Sequence, residues 1–214
     1  MSGSRTIMIV GNGEVPDGAS VSIDAADIVV RFNDCRSVGS GGHKTDIVAV
    51  CNTGRPGLAM LGGGRWKTSA PVRQAREIWC VRSGAKFAAM RVGLAETHPD
   101  LDDFCDDYTV GFESFSRSTG RHVRIVSAAV HDQLDRDLAG FSPNPYVVPS
   151  SGLIVIADIL SNIATADDDV VLAGFGHVGW EWHPFDAERR YVDALAAGGR
   201  LRRLHPLSSS SQGA

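Results

Sequence analysis

In Thr6-Ile7-Met8-Ile9-Val10-Gly11-Asn12-Gly13-Glu14 a short apolar run, Ile7 to Val10, leads into two glycines flanking an asparagine. A run this short and this apolar suits a strand covered on both faces. The glycines let the backbone turn tightly and approach a ligand closely, so the end of the run reads either as a nucleotide loop or as a plain turn after a strand. A dinucleotide fingerprint would need a third glycine where this chain has Pro16, which counts against a nicotinamide-dependent oxidoreductase. Similar runs recur between turn signals at Asp27 to Phe32, Asp46 to Cys51, Glu77 to Val81 and Val170 to Ala173. Leu153, Ile156, Ala157, Leu160 and Ile163 trace a helical stripe that Ile154, Val155 and Ile159 widen, so a largely buried helix precedes the last of these strands. The segment from His122 to Leu138 reads as another helix, or as one whose first residues form a strand, and Thr53 to Ala70 as a long glycine-rich loop or lid. Strands and helices that alternate in this way predict an α/β fold: a single-domain, Rossmann-like sandwich with a mainly parallel sheet. Its ligands would lie beyond the carboxyl ends of the strands.

With 214 residues, 43% of them apolar, the chain can bury a full core as one domain, expected over residues 1–207. The polar end SSSSQGA, 208–214, lacks the means to pack and is expected to be a disordered tail. A net charge of −4 does not call for a polyanionic partner, so no nucleic-acid role is expected. No window approaches the roughly 20 apolar residues of a membrane span, and MSGSRTIMIV leads straight into a strand-like run; the expectation is a cytoplasmic protein without stable membrane insertion. Cys35, Cys51, Cys80 and Cys105 are scattered without metal-ligand spacing, which predicts free thiols and no metal site. Asp167-Asp168-Asp169 precedes a strand and reads as a turn at the amino end of the sheet.

Three further segments bear polar groups where such a fold places its ligands. In Ile23 to Asp34 a strand delivers Arg31 and Asn33 toward one side, and an amide there suits a pyrimidine edge, a ribose hydroxyl or loop backbone. Pro149-Ser150-Ser151-Gly152 opens the apolar helix, which makes it either a phosphate-favouring helix terminus or an ordinary serine cap. After Val170 to Gly176 come His177, Trp180, Trp182 and His183-Pro184-Phe185-Asp186-Ala187-Glu188. If a helix starts near Pro184, then Glu188 falls within the apolar stripe of Phe185, Val192 and Leu195 and needs a partner: its own helix N–H groups, a nearby arginine or His183.

Taken in order, these segments resemble the sialylmotifs of the animal-type sialyltransferase family, as a short, bacterial-like member. IVGNG with DIVVRFND and GGHKTDIVAV resembles the large motif, PSSGLIVIADIL with VVLAGFG the small one, and HPFDAE the HxxxxE of the very small one. The likeness covers Ile7 to Asn52 and Pro149 to Leu204. It implies a GT-A-like variant of the α/β sandwich and a metal-independent, inverting glycosyltransferase that moves a sialic-acid-like or Kdo-like sugar. A CMP-sugar donor would be the co-substrate, with no other cofactor, and a glycan or lipid-glycan the acceptor. His183 would be the general base, His177 would assist the phosphate, and Glu188 would complete the catalytic set. Gly11, Asn12, Gly13, Asn33, Asn52, Ser150, Ser151, Gly152 and Gly174 would bind the donor. The alternative is a nucleotide-binding protein of the same fold without transferase activity. The sequence departs from the family in compressing the third motif into HVGWEWHPFDAE and in having no cysteine where the family's disulfide lies.

Overall fold

The five inner strands are apolar runs because both of their faces are covered, whereas the two edge strands carry charged and half-exposed residues. The computed structural model describes residues 3–204, and the expected tail at 208–214 lies outside the described residues. Seven strands form one all-parallel sheet: β1 (Thr6–Val10), β2 (Ile28–Phe32), β3 (Ile47–Val50), β4 (Glu77–Cys80), β5 (His122–Ile125), β6 (Asp169–Ala173) and β7 (Arg202–Arg203), in the order β5-β4-β3-β2-β1-β6-β7. Side chains alternate between the faces as a strand's period of two requires. Ile7, Ile9, Val30, Phe32, Trp79, Val170 and Leu172 join a core with α5 (Gly84–Thr97), α7 (Ala128–Ala139), α8 (Ser151–Asp158) and α9 (Phe185–Ala197). On the opposite face Val48, Val50, Ile78 and Cys80 pack with α2 (Gly54–Gly62), α3 (Arg65–Thr68), α4 (Ala70–Gln74) and α6 (Thr109–Ser118), while Met8, Val10, Val29 and Val171 pack with α1 (Ala19–Ala25). Helices on both sides of a parallel sheet make this a single-domain α/β sandwich, as the sequence predicts.

Three local readings are corrected or resolved. Residues 53–70 are not a loop: α2 and α3 occupy most of the stretch and α4 follows directly. Each short helix drives one anchor, Met60, Trp66 or Val72, into the core, which leaves no helical period to detect in any single window. The segment 122–138 is strand β5 followed by α7, divided at Val126 and the helix cap Ser127. Arg31 and Asn33 end in different surroundings. Asn33 adopts a positive φ of 50°, which breaks the alternation, and Arg31 is buried on the α1 face with its guanidinium on the Lys44 and Gly41 carbonyls and on Ser37. The α8 helix begins at Ser151 and passes into a π turn at Ile159–Ile163; its inward Asp158 is held by both ends of the Arg124 fork from β5, at 2.8 and 2.9 Å. Asp168 bonds Arg5 at the amino end of the sheet, in keeping with the turn expected there.

The sheet order reverses at β1, whose neighbours are β2 and β6. The crevice such a reversal usually opens is filled here by backbone. Gly13 N donates to the Gly174 carbonyl at 3.0 Å, and a Cβ at Gly11 would stand 2.4 Å from that same oxygen. Gly174 itself holds a φ of 69°. Gly11→Ala is therefore expected to lower unfolding free energy by about 2 kcal/mol or more, through overpacking that neither loop can relieve; urea unfolding checks this, and an unchanged midpoint would show the loops to be slack.

Candidate functional site

The site lies at the carboxyl ends of β2, β3 and β4, displaced from the filled crevice. A cavity of about 360 Å³ is lined there by Asn33, Cys51 and Arg82 from the strand ends, Phe104 and Leu101 from the segment after α5, and Ser151, Trp180 and His183 from the other side. Its neighbour, about 620 Å³, runs under α2 and α3 and meets it at Asn33 and Pro56. The 53–70 segment thus roofs the site as a lid reading supposes, but as packed helix.

Of the residues expected to converge, Asn33, Ser151 and His183 line this one cavity. Asn33 is fixed by donation from Cys51 N to its Oδ1 at 2.8 Å, and its carbonyl accepts the Trp66 indole N–H. His183 is oriented by a 2.7 Å bond between Nδ1 and the Val148 carbonyl. A carbonyl only accepts, so Nδ1 carries the proton and Nε2 keeps a lone pair. Burial, with the nearby positive charge of Arg82 adding to it, lowers the His183 pKa to about 4.

The other expected residues build the frame. Glu188, 1% exposed, accepts the Ser150 amide at 2.6 Å and its hydroxyl at 2.7 Å, and the Ser150 oxygen in turn caps α8 by accepting from Leu153 N. Among the described residues neither its own helix, an arginine nor His183 partners this carboxylate, and burial raises its pKa against the pull of the Ser150 bonds. Ser150 is consequently occupied. Asn12 bridges the Phe32 carbonyl and the Arg36 amide and lines the larger recess. Asn52, fully buried, clamps the Arg82 backbone from both sides and holds Thr109. Gly11, Gly13 and Gly174 pack against one another, and a Cβ on Gly152 would meet the Phe175 ring at 2.7 Å. His177 does not line the cavity; its Nε2 accepts from Arg203 at 3.1 Å, and burial together with that arginine lowers its pKa to about 4.

Arg82 was not singled out by the sequence reading, although a charged residue directly after an apolar strand was signal enough. It is 5% exposed and has no carboxylate partner among the described residues. Trp180 stacks on Phe104 with centroids 5.3 Å apart, while Trp182 packs edge-on against His98. Among the described residues no group of three or more His, Cys, Asp or Glu side chains is placed to hold a metal ion, and no helix is long and apolar enough to cross a membrane.

Two outcomes follow from the clamp and the buried imidazole. Glu188→Ala strands the Ser150 N–H and hydroxyl in a closed site and should cost about 2 to 4 kcal/mol in urea unfolding, with Glu188→Gln recovering part of it. His183 stays neutral in the fold down to about pH 4, whereas the unfolded chain protonates near 6.5. Between those values the unfolded state binds more protons, so stability falls as pH drops through that window. His183→Gln should flatten the fall in Tm from pH 6.5 to 4; a profile parallel to the wild type would contradict the buried neutral ring.

No family model matches the chain. In fold it is similar to a mammalian sialyltransferase (TM-score 0.54, 18% identity, covering 95% of this chain and 70% of that one). The Campylobacter jejuni sialyltransferase CstII bound to cytidine-5'-monophosphate gives a TM-score of 0.53 at 14% identity, covering 96% and 81%. The α-2,3-sialyltransferase of the same organism gives 0.54 at 15%, covering 98% and 77%. At these identities the likeness carries the fold alone, and the GT-A-like architecture stands. In sequence the chain is 75% identical over 210 residues to the urease operon 23 kDa accessory protein of Rhizobium meliloti (strain 1021), covering 98% of this chain and 97% of that one. That relative overturns the sialyltransferase assignment, the glycosyltransferase activity and the CMP-sugar and glycan partners expected with it. The roles of His183 as base, of His177 at a leaving phosphate and of Glu188 in catalysis belonged to that assignment and go with it. The chain belongs to the family of the urease operon 23 kDa accessory protein.

Proposed function

We propose that the chain serves urease as an accessory protein, and that it does so by recognition at the cleft on the carboxyl edge of its sheet rather than by group transfer. The observation that carries the first part is the 75% identity across nearly the full length of both chains. The second part is supported by the cleft's construction. Asn33, Ser151 and His183 face it from three different segments, and each segment is locked by backbone bonds to its neighbours. Locked groups of this kind recognise a shape and a hydrogen-bond pattern with little ordering cost. We assign the contact role to these three, and the role of frame to Gly11, Asn12, Gly13, Asn52, Ser150, Gly152, Gly174 and Glu188. On this reading the protein partners are urease itself or other accessory proteins of the operon, and the site of action is the cytoplasm.

Removing the chain from a host that makes urease through this operon should lower urease activity several-fold while the amount of urease polypeptide stays constant. A second copy of the gene should restore it. Urease activity unchanged by the deletion would refute the reading.

A further inference from the structure

Arg82 presents a charge that no carboxylate among the described residues answers. Its Nη1 donates to the Thr53 hydroxyl at 2.7 Å, its Nε has no hydrogen-bond partner among the described residues, and its guanidinium lies over the rings of Phe104 and Phe87 at 4.5 and 5.0 Å. Among the described residues one other arginine is as deeply buried, Arg31, and its fork is answered by two carbonyls and two hydroxyls. A buried guanidinium without an anion is costly, and the aromatic faces offset only part of that cost. Burial accordingly lowers the Arg82 pKa, with no carboxylate among its influences.

We propose that the cavity between the ends of β2, β3 and β4 and the start of α8 binds a small molecule that carries a carboxylate or phosphate on a flat apolar body, with the Arg82 guanidinium as its countercharge. Three observations besides the arginine favour that ligand class. The cavity of about 360 Å³ has the size of a small-molecule site. The start of α8 borders it at Ser151, whose hydroxyl makes no hydrogen bond among the described residues, while the Ser150 amide next to it is already taken by Glu188. The stacked Trp180 and Phe104 rings supply a flat apolar wall. One carboxylate, Asp103, also lines the cavity, and it is paired with Arg55 at 2.8 Å on the rim. The inference does not rest on the urease reading, because it concerns the purified chain alone; either can fail while the other stands.

Thermal unfolding of the purified full chain tests it with benzoate, phenyl phosphate and inorganic phosphate, and with benzamide as the uncharged match to benzoate. At ten times its Kd an anion should raise Tm by about 3 to 5 °C. The anion that does so identifies the head group, and benzamide should leave Tm unchanged. Arg82→Met should abolish the shift. Should that variant fail to fold, Ser151→Phe keeps the arginine, fills the cavity from the helix start, and should abolish the shift as well. Benzamide stabilising as well as benzoate, a shift that survives in the folded variants, or no shift with any of the three anions up to 10 mM would each overturn the proposal.

Discussion

The two hydrogen bonds from Ser150 to the buried Glu188 carboxylate set the arrangement of everything on the α8 side of the cleft. They fix the start of α8, and with it the position of Ser151. Two more bonds run alongside them, from Val147 N to the Trp182 carbonyl and between His183 Nδ1 and the Val148 carbonyl. The stretch 147–150 is thereby held along 182–188, and Trp180 and His183 are presented to the cavity as a consequence. A carboxylate buried this deeply is tolerated because both of its oxygens are answered by groups that would otherwise be unsatisfied at a helix start.

The other half of the cleft is set by glycine. The backbone contact of Gly11 and Gly13 with Gly174 closes the reversal point of the sheet, so the open space moves along the edge to the ends of β2, β3 and β4. There Asn52 grips Arg82 by its backbone and Asn33 grips Cys51, which sets the strand ends that hold the arginine and the amide. The same sandwich is found in sialyltransferases, yet the chain belongs with a urease operon accessory protein. Architecture and chemistry separate here as they do in other widely used folds.

The sheet was legible because a strand buried on both faces has to be an apolar run, and the five runs read from the sequence are β1, β2, β3, β4 and β6. The short helices of 53–70 were not, since a single anchor per helix leaves no period. The meeting of Asn33, Ser151 and His183 was legible from their places after strands and before helices. The partner of Glu188 was not, because Ser150 is 38 residues away and only the tertiary fold brings the two together. Arg82 could have been noticed as a charged residue directly after an apolar run, but its missing counterion is something a sequence does not display. The sialylmotif likeness read the architecture correctly and the function wrongly: within those motifs GNG, Ser150 and Glu188 serve here as packing and clamping elements, and those requirements belong to the fold.

If the cleft is what the protein works through, filling it should disable the protein without unfolding it. Urease activity in cells that carry Ser151→Phe in place of the wild-type chain, at equal amounts of both accessory protein and urease, measures this. The account predicts activity close to that of cells lacking the chain altogether. Full activity with the cleft filled would contradict it, and would move the working surface elsewhere on the molecule.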